Sequence, residues 1–367
     1  MISIPLNDLS RLSGDELFSL SKIFNDVSKS GYFMLGPSTK SLEVELATLI
    51  QQPHVVCVAN GTDALTLSLQ ALGVSQNSKV ITVANAGGYT TTSALRLGAL
   101  PILTDIDTSN GQMSADSLRS VLAEHPDSHV VVATHLYGLM APMKEISSIC
   151  QEFRVKLIED CAQAIGAHLD GRPAGSWGDA STFSFYPTKN LGCLGDGGAV
   201  ALKDAIVANH LRQLAQYGWN SRYSVEIAGG FNSRIDEIQA AILVHRIENL
   251  EEDNKRRRSI VKRYANALSS KRRMLWKDDS SFVGHLAIMV SATRDADKKA
   301  LENSGIGTGV HYPITDHQQI AWKNTFADQI SPNADLLTSQ ILTLPCFPKM
   351  TEDEVNEVCN ALSQLQQ

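Results

Sequence analysis

The sequence predicts an α/β protein with a large domain built around a mostly parallel central sheet and a smaller C-terminal α/β domain. The 367 residues exceed the size of one typical domain, and the 43% hydrophobic and 19% charged residues are typical of a globular chain. Between residues 55 and 200, short β-branched runs alternate with helical patterns, which is typical of strands joined by crossover helices. These runs are almost continuously apolar, as expected for a sheet that helices cover on both faces. The predicted strands are HVVCVA, KVITVA, PILTDI, HVVVATHL, VKLIED, ASTFSFY and GGAVAL.

The chain after this region follows a different pattern. Residues 235–268 contain neither proline nor glycine and predict one long helix that bridges the two domains. Beyond it, HLAIMVSA, DADKKALENSG and GTGVHYP predict a smaller α/β unit, and Thr351 with Glu354 forms the capping-box pattern of a last helix. We therefore predict a large domain over residues 1–245, which includes the N-terminal segment, and a small domain over residues 246–367.

Composition and charge argue against several classes of function. The formal net charge is −7, and the densest basic cluster, NKRRRS, follows an acidic run, so it fits a solvated helix face and predicts no nucleic-acid partner. No apolar segment is long enough for a membrane span, and the first ten residues do not resemble a signal peptide, so we expect a cytoplasmic protein without a membrane partner. The six cysteines lack metal-ligand spacing, and no metal site is predicted.

The first motif that could carry chemistry joins a predicted strand to a helix at Asn60, Gly61 and Thr62. A helix start offers free backbone N–H groups and the positive end of the helix dipole, and a glycine lets a phosphate approach the backbone. The same residues are also compatible with an ordinary capped helix. Neither the glycine fingerprint of a Rossmann dinucleotide site nor a P-loop occurs in the chain.

The second motif is the end of a predicted buried strand at Glu159 and Asp160, followed by Gln163. Ligands of open α/β sheets bind outside the carboxyl ends of the strands, so Asp160 is expected to face a ligand crevice. The residues leave two alternatives open, an N-cap for the following helix and a metal-binding carboxylate.

The third motif is FSFYPTKNLGCLGDGG, which places Lys189 between an apolar strand and a run of glycines. A lone lysine is usually a solvated surface residue. Here its surroundings predict a partly desolvated amine with a lowered pKa, and such an amine is the nucleophile that carbonyl chemistry needs. Ser184, five residues earlier, could offer its hydroxyl to an anion.

Together the three motifs predict one ligand that has a phosphate, a ring nitrogen and an aldehyde. Pyridoxal phosphate (PLP) meets this description, since it needs a phosphate cradle, a carboxylate that keeps the ring nitrogen protonated and a lysine that forms a Schiff base. Asp160 and Lys189 are 29 residues apart, which leaves room for a hairpin and one more strand, so both are expected at neighbouring strand ends. Gly61, Thr62 and Ser184 are the predicted phosphate cradle.

Eight ordered motifs resemble those of the DegT/StrS family of PLP-dependent sugar-nucleotide aminotransferases, which have the fold-type I architecture of PLP enzymes. The resemblance implies that Lys189 binds the cofactor covalently and moves protons between the substrate carbon and the cofactor, which alternates between PLP and its pyridoxamine form (PMP). It also implies that Asp160 pairs with the ring nitrogen and that Gln163 hydrogen-bonds the ring hydroxyl. The motifs span nearly the whole chain and read GYFMLGPSTKSLEVELA, NGTDAL, THLYGLMAPM, IEDCAQAIGA, FSFYPTKNLGCLGDGGAV, GGFNSRIDEIQAAIL, HYPITDHQ and LPCFPKMTEDEV.

The resemblance further implies a homodimer with shared active sites, because Asn232 matches an asparagine that reaches the phosphate from the partner subunit. Tyr89 is the expected ring that stacks on the cofactor. The segment VANAGGYTTTSAL departs here from the family's proline-containing motif, and a core tyrosine is the alternative. His311, Tyr312 and His317 match a loop that lies near the sugar nucleotide in the family.

Two further residues keep two interpretations each. His135 ends a predicted core strand and is either a buried imidazole with satisfied hydrogen bonds or a substrate contact. Arg234 either serves the pyrophosphate of a nucleotide or pairs with an acidic neighbour such as Asp236.

The resemblance implies a transaminase that works in two half-reactions, in which L-glutamate donates the amine and a nucleotide-linked keto-sugar accepts it. The predicted acceptor is dTDP-4-keto-6-deoxyglucose, giving dTDP-4-amino-4,6-dideoxyglucose for surface polysaccharide (lipopolysaccharide O-antigen) or glycoside biosynthesis. Amination at C3 of a dTDP-3-keto-6-deoxyhexose is the first alternative. A PLP-dependent sugar dehydratase and a non-catalytic regulator are the others. A histidine replaces the lysine in the dehydratases, so Lys189 argues against that branch.

Overall fold

A computed structural model describes residues 2–365, which contain a seven-stranded sheet, a three-stranded sheet and two short hairpins. The strands are β1 (His54–Val58), β2 (Lys79–Val83), β3 (Leu100–Thr104), β4 (Val130–Thr134), β5 (Lys156–Asp160), β6 (His168–Leu169), β7 (Arg172–Pro173), β8 (Ala180–Ser184), β9 (Gly198–Leu202), β10 (Trp219–Ser221), β11 (Ser224–Val225), β12 (Arg272–Leu275), β13 (Ala287–Ser291) and β14 (Ile341–Leu344).

The helices alternate with these strands along the first half of the chain. They are α1 (Gly14–Ser30), α2 (Pro37–Ile50), α3 (Gly61–Ala71), α4 (Tyr89–Arg96), α5 (Ala115–Glu124), α6 (Met143–Phe153), α7 (Ala205–Leu214), α8 (Glu237–Ile247), α9 (Leu250–Ala267), α10 (Arg294–Asn303), α11 (Pro332–Gln340) and α12 (Glu352–Ser363). Among residues 2–365, no helix combines the length and the hydropathy that a membrane span requires.

All seven strands predicted between residues 54 and 202 form the large sheet, in the order β1-β9-β8-β5-β4-β2-β3. Strand β9 is antiparallel to both of its neighbours, and the other adjacent pairs are parallel, so the predicted mostly parallel sheet is confirmed. Alternate residues point to opposite faces: Val55 and Cys57 belong to one apolar core, and Val56 and Val58 to another. Two buried faces explain why these strands are apolar at almost every position.

The parallel strands bring the predicted polar motifs to one edge of the large sheet. Strands β4, β5 and β8 are neighbours and end at Thr134, Asp160 and Ser184. Strands β6 and β7 pair as the hairpin predicted between the Asp160 and Lys189 motifs. The carboxyl ends of adjacent parallel strands thus place residues from distant parts of the sequence side by side.

The prediction of a single helix over residues 235–268 is wrong, because the segment forms two helices. Helix α8 ends at Ile247, and α9 begins at Leu250 after the cap residue Asn249. Leu243 of α8 packs into the core of the large sheet, whereas α9 begins in that core with Leu250 and continues into the core beside the small sheet with Tyr264. Three acidic residues in the first turn of α9 favour a helix start at this position.

The small sheet contains β12, β13 and β14, all antiparallel, and lies against the apolar core that α9 and α12 share. Helix α12 begins with the predicted capping box, in which Thr351 and Glu354 satisfy each other's backbone N–H groups. The proposed division of the chain into two domains at residue 245 stays a prediction.

The N-terminal strap, residues 2–12, is attached to the C-terminal part of the chain. Ile4 is buried in the core beside the small sheet and forms a parallel bridge with Ile306. The guanidinium of Arg11 donates two hydrogen bonds of 2.7 Å to the carboxylate of Glu354. The strap is therefore held at both ends.

Candidate active site

A cavity of about 790 Å³ opens at the carboxyl edge of the large sheet. Its volume lies in the range of small-molecule and cofactor sites, and its position is the usual ligand position in open α/β sheets. The structure brings nine predicted site residues together in its lining: Gly61, Thr62, Tyr89, Asp160, Gln163, Ser184, Lys189, His311 and Tyr312.

The start of α3 forms one part of the cavity wall. Oδ1 of Asn60 accepts a hydrogen bond from the backbone N–H of Asp63 at 2.8 Å, so the helix is capped as the sequence allowed. The backbone N–H groups of Gly61 and Thr62 precede the first intrahelical bond and stay available to an anion. A Cβ atom added at Gly61 would lie 2.7 Å from the Cβ of Ser184, so the glycine lets the helix start and the serine hydroxyl approach the same point.

Asp160 lines the cavity and is only 5% exposed. Its Oδ1 accepts a hydrogen bond from the backbone N–H of Ala162 at 3.1 Å, so the carboxylate also caps the turn after β5. Burial raises the pKa of this carboxyl, and the Ala162 N–H and the positive charge of Lys189 partly oppose that effect. A desolvated carboxylate with few donors is stabilised by a cationic ligand such as a protonated ring nitrogen.

Lys189 follows β8 in a loop that its own backbone N–H closes by donating to the carbonyl of Tyr186 at 2.8 Å. Desolvation in the cavity lowers the pKa of its amine to about 8, and the negative charge of Asp160 opposes this shift. With that pKa, roughly one amine in ten is neutral at pH 7. No hydrogen-bond acceptor holds Nζ among residues 2–365. The amine is thus available for carbonyl chemistry.

Gln163 is held in one orientation. Its Oε1 accepts a hydrogen bond of 2.6 Å from the backbone N–H of Tyr137, which fixes the amide because a backbone N–H only donates. Its Nε2 donates to the hydroxyl of Tyr312 at 3.2 Å. The side chain therefore presents an N–H donor on the cavity side.

Two tyrosines border the cavity from loops after β2 and before α11. Tyr89 is the first residue of α4 and is 47% exposed, so the alternative of a core tyrosine is wrong. The ring of Tyr312 lies edge-on to it, with centroids 6.0 Å apart. Gly87 and Gly88 both have a φ of 77°, and a Cβ at Gly87 would lie 2.9 Å from the Tyr312 ring. Gly87, in the segment that departs from the family motif, thus makes room for the Tyr312 ring, and a Cβ at Gly88 would instead lie 2.5 Å from the ring of Trp322.

The two predicted substrate histidines lie in different surroundings. His311 lines the cavity, and its Nδ1 lies 2.8 Å from the hydroxyl of Thr343. Burial, followed by the charge of Lys189, lowers the pKa of its imidazole. His317 is not part of the cavity lining, and its Nε2 pairs with Asp335 at 3.0 Å.

Asn232 is exposed and lies outside the lining of the cavity of its own chain. Its Oδ1 accepts a hydrogen bond from Nε of Arg234 at 2.8 Å. The predicted role of Asn232 at the phosphate requires a second subunit and stays a prediction.

His135 is a buried imidazole, and each of its ring nitrogens forms a hydrogen bond. The interpretation as a buried imidazole with satisfied hydrogen bonds is therefore confirmed. Nδ1 of His135 accepts the backbone N–H of Ala141 at 3.1 Å, so the proton is on Nε2, which lies 3.0 Å from Glu159. The carboxylate of Glu159 also accepts the backbone N–H groups of Gly175, Trp177 and Gly178 at 2.7–2.9 Å. We refer to these groups as the Glu159 network.

Cys161 completes a set of three buried residues, with His135 and Glu159, whose ligand atoms lie within 4.8 Å of one another. Such a set can hold a metal ion in principle. Here each carboxylate oxygen of Glu159 already accepts two hydrogen bonds. The arrangement therefore fits a structural hydrogen-bond network.

Several residues that border the cavity were not predicted from the sequence, and three of them lie far from every predicted motif. His285 lies just before β13, and Leu6 and Asn7 belong to the N-terminal strap. No local motif marks them, because they reach the cavity through contacts with distant parts of the chain. The one available signal was a polar residue at the head of the apolar segment HLAIMVSA.

The site thus fits a ligand with an anionic group at the start of α3, a cationic ring nitrogen at Asp160 and a carbonyl group at Lys189. PLP has all three groups. The fold and the site together define a PLP-dependent enzyme of the fold-type I class.

Comparisons with known proteins identify the family. The sequence model of the DegT/DnrJ/EryC1/StrS aminotransferase family matches residues 19–363 of the chain. The chain is 36% identical, over 98% of its length and 97% of the relative's, to UDP-N-acetyl-3-dehydro-alpha-D-glucosamine 3-aminotransferase of Acidithiobacillus ferrooxidans. It is 33% identical, over 98% and 97%, to dTDP-3-amino-3,4,6-trideoxy-alpha-D-glucose transaminase of Micromonospora megalomicea.

Solved structures show the same fold. DesV of S. venezuelae matches with a TM-score of 0.94 and 30% identity, over 99% of this chain and 98% of that one. NtdA of Bacillus subtilis with bound PMP matches with a TM-score of 0.92 and 29% identity, over 99% and 85%. The chain belongs to the DegT/DnrJ/EryC1/StrS aminotransferase family, and its cofactor is PLP. The prediction of a PLP-dependent sugar-nucleotide aminotransferase is confirmed at the level of this family.

Proposed function

We propose that this chain transfers the amine of L-glutamate to the keto carbon of a nucleotide-linked sugar. The observation that carries the proposal is the position of Lys189 and Asp160 in one cavity at adjacent strand ends. The amine has a lowered pKa, and the carboxylate is desolvated and has room for a cationic partner.

Each residue has a role that follows from its surroundings. PLP, when bound, supplies an aldehyde that condenses with amines and a ring that takes up negative charge. Lys189 provides the neutral amine that holds the cofactor, and then accepts and returns a proton at the reacting carbon. Asp160 keeps the ring nitrogen protonated. Gly61, Thr62 and Ser184 bind the phosphate through N–H and O–H donors.

Two further residues orient the cofactor ring in this proposal. Gln163 has an amide that Tyr137 fixes, so its Nε2 can donate to the ring hydroxyl. Tyr89 is half exposed at the start of α4, where its ring can stack on the cofactor.

The carbon that receives the amine is the finer part of the proposal. Both relatives carry a 3-amino or 3-aminotransferase name, which supports amination at C3. Gln163 and the segment NAGGYTTT favour C4 of dTDP-4-keto-6-deoxyglucose as the second candidate. The two relatives also differ in the nucleotide, UDP in one and dTDP in the other.

We further propose that the functional unit is a cytoplasmic homodimer that serves surface polysaccharide or glycoside biosynthesis. Asn232 lies outside the cavity of its own chain, as a residue that serves a partner subunit must. The chain also has several exposed aromatic side chains, which are typical of protein interfaces. Six of them lie in α1, in the segment after it, and in or just before the β10–β11 hairpin: Phe18, Phe24, Tyr32, Phe33, Tyr217 and Tyr223.

A panel of acceptors tests the proposed function. The PLP-loaded protein is incubated with L-glutamate and, separately, with a UDP-3-keto-sugar, a dTDP-3-keto-sugar and dTDP-4-keto-6-deoxyglucose. We expect 2-oxoglutarate and one amino sugar, with NMR locating the new amine at C3. An amine at C4 would select the second candidate, and a panel without any amino sugar would contradict the proposal.

A further inference from the structure

His285 connects the loop of Lys189 to the small sheet. It lies just before β13, lines the cavity and is only 7% exposed. Its Nδ1 is 2.9 Å from Oδ1 of Asn190, the residue that follows Lys189. The imidazole is therefore part of the same wall as the reactive amine.

Two backbone carbonyls fix the direction of the hydrogen bonds behind this ring. Nδ2 of Asn254 donates to the carbonyl of Ile165, and Nδ2 of Asn190 donates to the carbonyl of Val283, both at 3.1 Å. A carbonyl oxygen only accepts, so neither amide can be reversed. Oδ1 of Asn254 then accepts from Nδ2 of Asn190 at 2.7 Å, and Oδ1 of Asn190 is left to face His285.

The tautomer of His285 follows from this chain of bonds. Since Oδ1 of Asn190 only accepts, Nδ1 of the imidazole carries the proton. Burial and the positive charges of Lys189, Arg257 and His311 lower the pKa of the ring well below its usual value, so it is neutral near pH 7. Nε2 keeps its lone pair, and nothing in the described part of the chain donates to it.

His135, the other buried histidine among residues 2–365, has a different hydrogen-bond arrangement from His285. His135 carries its proton on Nε2, and both of its nitrogens are bonded to protein groups, Ala141 and Glu159. His285 has the opposite tautomer, and its Nε2 has no hydrogen-bond partner among residues 2–365. A fixed acceptor at a cavity wall is a recognition group for a donor on a ligand.

We propose that His285 is a specificity-determining residue whose Nε2 accepts a hydrogen bond from a hydroxyl of the acceptor sugar. The inference rests on the proposed function and adds the sugar-recognising group to it. A lone pair repels the carboxylates of L-glutamate, which only accept hydrogen bonds at neutral pH. The hydroxyls of a sugar are donors, so the site discriminates between the two substrates by the direction of one bond.

The test separates the two half-reactions on the cofactor-loaded protein. The PLP form is mixed with L-glutamate alone, and the PMP form with the keto-sugar nucleotide alone, and the cofactor absorbance is followed through one turnover. His285→Phe keeps a planar ring and removes the acceptor. We expect it to lower the kcat/KM of the sugar half-reaction about tenfold and to change the glutamate half-reaction by less than about twofold. Equal slowing of both, or an unchanged sugar half-reaction, overturns the proposal.

A second measurement does not depend on turnover. In ¹⁵N-histidine NMR spectra of the holoenzyme, we expect Nδ1 of His285 to be protonated and Nε2 unprotonated. Asn190→Leu should abolish this preference and slow the sugar half-reaction as His285→Phe does. His285→Gln, whose Oε1 can accept at the position of Nε2, should restore most of the rate. A spectrum of the unsubstituted protein with the proton on Nε2 overturns the proposal.

Analogues of the sugar and a control histidine complete the design. Among acceptors that lack one hydroxyl each, we expect one to react equally with the unsubstituted protein and with His285→Phe, and sensitivity of every analogue overturns the proposal. His168→Leu changes a half-buried histidine in the β6–β7 hairpin, bonded only to a backbone carbonyl, and should leave both half-reactions unchanged. If the proposed function fails, the unsubstituted protein aminates no sugar nucleotide. If only this inference fails, the unsubstituted protein aminates the sugar nucleotide, and His285→Phe either does so at the full rate or slows both half-reactions equally.

Discussion

Two carboxylates that are adjacent in β5 have opposite surroundings. Glu159 is fully buried and each of its oxygens accepts two hydrogen bonds, from three backbone N–H groups and His135. Asp160 accepts one backbone N–H from Ala162 and lies in the cavity near the desolvated amine of Lys189. Burial alone therefore does not mark a functional acid. The functional carboxylate is the one whose capacity for partners the protein leaves open.

The largest expected effect is at Lys189, which lies in the cavity with Asp160. Lys189→Ala should abolish turnover, and the cofactor should no longer remain attached to the protein after borohydride reduction, as mass spectrometry reports. Lys203 is a matched control, because burial also lowers the pKa of its amine but it donates to the carbonyl of Trp177 outside the cavity. Lys203→Ala should keep full activity per folded molecule. Measurable turnover by Lys189→Ala would remove this residue from its role.

Replacing Asp160 should reduce the rate of catalysis much more than the stability of the fold. Asp160→Asn keeps the shape of the side chain but cannot hold a ring nitrogen protonated, so we expect kcat to fall about 10²- to 10³-fold. The unfolding free energy of the apoprotein should change by less than about 1 kcal/mol, because a desolvated carboxylate with a raised pKa contributes little to stability. Full activity of the variant would show that Asp160 is not the functional carboxylate.

Replacing Glu159, in contrast, should reduce the stability of the fold much more than the rate of catalysis. Glu159→Gln turns an NH₂ group toward backbone N–H donors, whichever way the amide is oriented. We expect the unfolding free energy to fall by about 2–4 kcal/mol in urea denaturation, since buried donors lose their partner. The fraction that stays folded should turn over at a rate near that of the unsubstituted protein. A selective loss of activity without a loss of stability would show that Glu159 is catalytic.

The smallest effect concerns how Asp160 acts on Lys189. In the apoprotein, the labelling of residue 189 by an amine-reactive reagent should rise with pH around a midpoint of about 8, because only the neutral amine reacts. The charge of Asp160 favours the protonated amine, so Asp160→Asn should move the midpoint to lower pH, by less than about one unit. A midpoint that moves upward would show that the two groups do not interact as described.

The elements of the fold that local pattern encodes were predictable from the sequence. The seven strands follow from apolar β-branched runs. Seven of the nine predicted site residues in the cavity lie at or shortly after the carboxyl ends of β1, β2, β5 and β8, which share one edge of the sheet. The break between α8 and α9 was not predicted, because a search for proline and glycine overlooks a helix boundary that neither residue marks. His285 was missed because its position depends on a loop about 95 residues earlier in the chain, through its bond to Asn190.

The different surroundings of Glu159 and Asp160 could not be predicted from local sequence patterns either. The sequence places both acids at a strand end and treats them alike. The donors that distinguish them belong to Gly175, Trp177 and Gly178, in the segment after the β6–β7 hairpin. A strand predicts which way a side chain points, whereas its hydrogen-bond partners come from the tertiary structure.

The N-terminal strap gives the cavity one wall that does not belong to the sheet. Leu6 and Asn7 line it, while Ile4 and Arg11 are anchored to the C-terminal part of the chain. Substitutions at positions 6 and 7 can therefore reshape the entrance without disturbing the strands that hold the reacting groups. The strap thus offers a route by which descendants of one enzyme could acquire new sugars while the cofactor chemistry stays unchanged.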